Sequence, residues 1–155
     1  MTATLSKDQF LKDFSEGRPR YCSSILVNAL LALGCQFSSK PETTAVPNMM
    51  HTSGNHFFKE CQRLLSLEEG RCALTTIQAL GIMSIREMSC GRDSTSAYYG
   101  DQSIRLVMGM DHSGKIGSNA DELAVRSATF WGAFALDKYD SCSTKASRDH
   151  KPLPQ

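Results

Sequence analysis

The chain has 155 residues, 41% of them hydrophobic and 21% charged, a balance that fits a globular protein and excludes an apolar-poor disordered one. One domain is expected at this length, burying roughly 68–70% of the unfolded surface. Seventeen Lys and Arg against sixteen Asp and Glu leave a formal charge of +1, too weak a field to gather a polyphosphate, so direct DNA binding by this chain is not expected.

Met1 to Phe14 has no apolar central stretch followed by small residues, so no secretory signal is read there. A first short helix opens at Ser6, with Gln9 three positions on as a capping-box partner, and stops at Gly17-Arg18-Pro19. A second runs from Ser23 or Ser24 to about Phe37. Its run Ile25 to Leu33 leaves little polar face, which predicts the central core helix. Broken by Asn28, that run is far short of the roughly 20 residues of a membrane span.

Ser38 to Ser53 carries Pro41 and Pro47 and reads as a surface loop. From Asn55 to Leu65, Phe57, Phe58, Cys61, Leu64 and Leu65 recur at helical offsets, with His56, Lys59, Glu60, Gln62 and Arg63 opposite. A fourth helix is expected from a Thr75 or Thr76 cap to about Met88, with Gly81 permitting a close crossing. A fifth spans about Ser94 to Met108, its apolar side read as Ala97, Tyr98, Ile104 and Met108, and Gly109 marks its end. Asp121 and Glu122 supply first-turn negative charge to a sixth helix reaching about Tyr139, with a Glu122 to Arg126 pair. Its stripe is read as Leu123, Ser127, Phe130, Trp131 and Phe134. The polar tail from Cys142 to Gln155 carries Pro152 and Pro154 and is read as loose. The fold class is therefore all-α, about six helices packed irregularly.

Chemistry is sparse. Cys22, Cys35, Cys61, Cys72, Cys90 and Cys142 are scattered with no Cys-x-x-Cys pair, so they read as free thiols in an intracellular protein and supply no zinc site. Gly109 to Ile116 imitates a phosphate-binding loop up to Lys115. It ends in Ile116 where a Ser or Thr is needed and follows a helical pattern where a strand is needed. His51, His56, Glu60 and Cys61 are the densest metal-ligand grouping, but only His56 and Glu60 share a helix face, and two ligands are half a site. Asp111-His112 reads as turn polarity, while Glu68-Glu69 and Asp121-Glu122 sit at helix ends. Met49-Met50, Tyr98, Tyr99 and Arg105 could line a pocket for an apolar effector, but core packing is the preferred reading. Arg92, Arg105 and Arg126 are too separated to form a basic patch. No residue is assigned as catalytic, cofactor-binding or metal-ligating, and no enzyme is expected.

Arg20-Tyr21-Cys22-Ser23-Ser24-Ile25-Leu26, then Gln78-Ala79-Leu80-Gly81, Tyr99-Gly100 with Ile104-Arg105-Leu106, and Phe130-Trp131-Gly132 followed by Leu136-Asp137-Lys138, occur in this order. In that arrangement the chain resembles the fungal-specific transcription factor domain, the middle homology region of fungal binuclear zinc-cluster activators, of the xylanolytic and nitrogen-assimilation type. The resemblance covers about Phe10 to Ser141, so residues 1–141 are taken as the domain and 142–155 as the tail. It implies an all-α, nuclear, non-enzymatic regulatory domain that modulates transcription through an effector or regulatory protein. Zinc and DNA contact would belong to a separate six-cysteine module absent from this chain. The family continues through further helices beyond the Ser141 position, so the resemblance also implies a domain truncated on its C-terminal side. Phe130, Trp131 and Phe134 would then lack cover, and self-association is expected. The alternative is a stand-alone helical module that binds a protein or small ligand and has no promoter role.

Overall fold

The structure, a computed structural model, describes residues 5–38, 54–68, 73–110 and 120–148, with side chains as far as Lys138. The helices are α1 (Lys7–Glu16), α2 (Ser24–Gly34), α3 (Asn55–Leu67), α4 (Leu74–Ser89), α5 (Asp93–Gly109) and α6 (Ala120–Arg148), with a 3-10 turn at Cys35–Phe37 after α2. Among the described residues there is no strand. The all-α expectation therefore holds.

Local chemistry sets most of the boundaries. Gly17 ends α1 in the left-handed conformation at φ 66°, its N–H returning to the Asp13 carbonyl. The expected capping box at Ser6 takes another form: the hydroxyl meets the Gln9 side chain and makes no bond to a backbone amide. Ser23 does cap α2, accepting from the Leu26 N–H at 3.4 Å. Thr75 and Thr76 do not cap α4. Ala73 stands at the cap position, and both threonines are buried in the first turn, where the Thr76 hydroxyl donates to Glu68.

The centre of the fold is α4, not α2 as the apolar run suggested. It packs against α2, α5 and α6, and α2 in turn packs against α3. The main core gathers Ile25, Leu26 and Leu33 of α2, Phe58 and Cys61 of α3, Leu80, Ile82 and Met83 of α4, and Tyr99 of α5. Each fully buried large aliphatic contributes about 1.5–3 kcal/mol relative to exposure. A second cluster joins Ile77, Val107 and Ala133.

Two faces differ from the sequence reading. On α5 the buried positions are Ser96, Tyr99, Gly100, Ser103 and Val107, while Tyr98 and Met108 are exposed. Small residues let α5 approach α4 closely enough for hydroxyls to bridge the backbones. Ser96 Oγ donates to the Ser84 carbonyl at 3.0 Å and Ser103 Oγ to the Ile77 carbonyl at 3.1 Å. On α6 the buried positions are Val125, Thr129, Gly132 and Ala133, with Leu123, Ser127, Trp131 and Phe134 turned outward and Phe130 half-buried. Gln78 Nε2 donates to Thr129 Oγ1 at 2.9 Å and fastens that face to α4. In both helices close approach of small side chains outweighs the area of the larger ones.

Helix α6 also continues past the expected end near Tyr139 to Arg148. Nothing between Ala133 and Arg148 is Gly or Pro, so no residue there breaks the hydrogen-bond ladder. The stretch read as a loose tail thus begins as helix.

Candidate functional site

Three features stand out as the places where this fold could meet another molecule or where its chemistry is concentrated. The first is ionic and interior. Arg86 and Glu87, 1% and 2% exposed, pair at 2.6 Å (Nη1 to Oε1). Arg92, just beyond the turn that ends α4, donates to the same carboxylate through Nε at 2.6 Å and Nη2 at 2.7 Å. Arg86 Nη2 also donates to the Asn55 side chain, and its guanidinium lies 4.4 Å from the Phe58 ring centroid. Burial pushes the Glu87 carboxyl upward, but the hydrogen bonds from Arg92 and Arg86 outweigh it and hold the group below its ordinary value. These partners join α3, α4 and the start of α5, so the cluster fixes a helix junction and presents no open face for a reaction.

The second is the outer face of α6. Trp131 is 59% exposed. Its ring meets Phe130 and Phe134 edge-on at 5.5 and 6.0 Å, and Lys138 Nζ lies 5.0 Å from the Phe134 centroid. With Phe134 also exposed, these rings form an aromatic surface of the kind that marks protein contact.

The third is a cleft of about 380 Å³ between the end of α1 and the first half of α2, with the buried Asp13 in its wall. Asp13 Oδ2 accepts the Tyr21 N–H at 2.8 Å.

The residues singled out in the sequence do not assemble into a reaction centre. His56 is exposed against Phe57, and Glu60 is taken by Arg63 at 2.7 Å, so the half-site for a metal is not formed. Cys61 faces the core, donating to the Ile25 carbonyl at 3.6 Å, and burial pushes its thiol up to about 12. Burial also raises Cys35 and Cys22. Cys22, Cys35, Cys61 and Cys90 are thiols that form no disulfide. Tyr99 is core, edge-on to Phe58 at 5.9 Å and receiving the Gln62 amide at 3.1 Å, whereas Tyr98 is exposed.

Glu122 pairs with Arg126 at 3.1 Å as expected, and with Arg20 at 2.8 Å. Arg92 and Arg126 are thus each engaged with a carboxylate. His51, Met49, Met50, Glu69, Cys72 and the segment from Asp111 to Ile116 lie outside the described residues, as does the side chain of Cys142. Among the described residues no group of three or more His, Cys, Asp or Glu is placed to hold a metal ion, and no helix is long and apolar enough to cross a membrane. Sequence reasoning missed Arg86, Glu87 and Asp13, because charged residues within helical patterns read as solvated faces.

Comparison with known proteins places these features in a family. The description "Fungal specific transcription factor domain" matches residues 3–152, further at both ends than the expected Phe10 to Ser141. The chain is 43% identical over 145 residues to the nitrogen assimilation transcription factor nit-4 of Neurospora crassa, covering 87% of this chain and 13% of that protein. It is 43% identical over 142 residues to the nitrogen assimilation transcription factor nirA of Emericella nidulans, covering 87% of this chain and 16% of that protein. The notoamide biosynthesis transcriptional activator notL' of Aspergillus versicolor is 30% identical over 138 residues, covering 84% of this chain and 22% of that protein. The chain thus spans less than a quarter of the length of these relatives. No solved structure gives a significant match. With an all-α fold, an aromatic outer face and this match over nearly its whole length, the chain belongs to the fungal specific transcription factor domain family, a regulatory family and not an enzyme family.

Proposed function

We propose that this chain acts in the nucleus as the regulatory part of a fungal zinc-cluster transcription factor of the nitrogen-assimilation type. It modulates transcription through contacts with an effector or regulatory protein, and a separate zinc-cluster module makes the DNA contact. The match over residues 3–152, together with two relatives named as nitrogen assimilation transcription factors, carries this reading. On it, residues 1–141 form the regulatory domain, and α6 carries the chain into the segment from 142 onward. None of its residues has a catalytic, cofactor-binding or metal-ligating role.

The mechanism is a shift of population between repressed and permissive arrangements, driven by a partner that binds one of them better. The aromatic face of α6 is the contact surface, and in the isolated chain it also drives self-association. The test fuses the 155-residue chain to a heterologous DNA-binding module upstream of a reporter. Output altered several-fold in either direction, and restored by Trp131→Glu, is expected. Output equal to that of the DNA-binding module alone overturns the reading.

A further inference from the structure

On the reading that the outer face of α6 is the contact surface, we infer that its occupant is the same face of a second copy of this chain, running antiparallel. Along α6, Ala120, Ala124, Ser127, Trp131, Phe134 and Lys138 are all exposed. They recur at alternating steps of four and three residues, the spacing of a seam that receives one neighbouring helix. The seam lies opposite the side on which Val125, Thr129 and Ala133 are buried, where α6 packs against α4 and α5.

Charge is missing where a solvated face carries it. From Leu123 to Leu136 the helix has a single charged residue, Arg126, and it pairs with Glu122 at 3.1 Å, away from the seam. Over these residues the exposed face runs for about 20 Å without a charge, at 1.5 Å per residue. A helix face of this kind is ordinarily covered.

The order of side-chain sizes selects a copy of the chain as the cover. The N-terminal half of the seam is small, with Ala120, Ala124 and Ser127, and the C-terminal half carries Trp131 and Phe134. When one copy is turned end for end about a point level with Thr129, Trp131 falls on the other copy's Ser127 and Phe134 on its Ala124. Large side chains then fill the space that small ones leave. A parallel pairing sets Trp131 on Trp131 and Ala124 on Ala124, which crowds one layer and empties another. The ends agree in charge as well. Lys138 arrives beside the other copy's Asp121, an exposed carboxylate that meets the neutral Gln9 amide at 3.3 Å in its own chain. The Lys138 side chain is 61% exposed and lies 3.4 Å from Asp137, a solvated contact that it exchanges at little cost.

The test follows the 155-residue chain by sedimentation equilibrium from micromolar to sub-millimolar concentration. The average mass is expected to rise from 17.0 kDa to twice that value and stop there. Trp131→Ala weakens the dimer by at least about tenfold, and Lys138→Glu by about two- to tenfold. Ala124→Trp weakens it by about tenfold or more, because its ring takes the space that Phe134 needs, whereas undirected apolar association would gain from the added ring. Ala128→Cys, near the centre of rotation, is expected to link to itself through a short bismaleimide, with the joined peptides located by mass spectrometry. Ala120→Cys is expected not to, since the two copies of residue 120 stand about 27 Å apart along the helix axis. Should Ala128→Cys fail to fold, Ser127→Cys takes its place. A monomer at every concentration, a mass that climbs past the dimer, tighter association of Ala124→Trp, or self-linkage of Ala120→Cys overturns the inference. A monomer combined with a Trp131-dependent reporter output overturns it by assigning the face to a different protein, so this inference and the regulatory reading fail separately.

Discussion

Arg86 and Glu87 are neighbours in the chain, yet they face each other as a buried ion pair at 2.6 Å. Successive helix positions point about 100° apart. They meet because the long Arg86 side chain, held against Asn55 and Phe58 of α3, bends to the Glu87 carboxylate. Removing the carboxylate leaves a guanidinium buried without its counter-charge. Glu87→Gln is expected to cost about 3–5 kcal/mol, measured by urea denaturation at neutral pH. Arg92→Ala, whose partner keeps Arg86, is expected to cost less.

The same pair sets an acid limit. Glu87 has a folded pKa below its unfolded value, which is about 4.3. Its contribution is therefore complete above that unfolded value and is lost as pH falls through the folded one. Unfolding free energy measured from pH 7 down to 3 should fall more steeply in the unmodified chain than in a folded Glu87→Gln variant.

Gly54 and Gly17 offer a controlled comparison, since both have positive φ, 71° and 66°. A Cβ on Gly54 would come within 2.6 Å of the Ala32 carbonyl oxygen, whereas one on Gly17 would meet nothing within 4 Å. Gly17→Ala should cost about 1–2 kcal/mol, the left-handed penalty alone. Gly54→Ala adds overpacking of about 1–3 kcal/mol to that penalty, because α2 and α3 must move apart. Thermal melts of the two variants separate strain from collision.

The main helix boundaries were legible in the sequence because caps and glycines carry them: Ser23 before α2, Gly17 after α1, and the acidic first turn of α6. The buried faces of α5 and α6 were not. Size predicts burial only when helices pack at ordinary distance, and here Ser96, Gly100 and Ser103, like Thr129, Gly132 and Ala133, bring backbones close and force large neighbours outward. The aromatic run at Phe130, Trp131 and Phe134 was read both as a packing stripe and as a surface lacking cover; Trp131 and Phe134 are exposed, and Phe130 is half-buried. Nothing in the local pattern around Arg86 and Glu87 distinguishes them from a wet face, since their partners Asn55 and Phe58 come from another helix.

Close packing at the α4 to α5 seam makes it intolerant of volume. Ser96→Leu should destabilise the fold by about 1–3 kcal/mol through overpacking, and further by removing the bond to the Ser84 carbonyl. Ser96→Ala, which loses the bond but not the fit, should cost about 1 kcal/mol. Chemical denaturation distinguishes the two.

Thiol labelling reads the core directly. With its pKa pushed up to about 12, Cys61 has about one thiolate in ten thousand at pH 8, and it is fully buried besides. A maleimide reagent followed by mass spectrometry should modify the half-buried Cys22 and Cys90 before Cys61, and reach Cys61 only as fast as the chain unfolds. Rapid modification of Cys61 under native conditions contradicts the packing of α2 on α3.

Helix α1 is held differently from the rest. Its links are the partly buried Leu5 and Phe10, the Asp13 to Tyr21 bond, and two contacts in water, Gln9 to Asp121 and Arg20 to Glu122. Each such solvated contact is worth about 1 kcal/mol or less, and salt screens it. Of the described helices this one is accordingly the cheapest to peel away, so its backbone protons trade with deuterated solvent ahead of those in α4. Whatever settles against it slows that early exchange, and through the global unfolding equilibrium the slowest core protons as well.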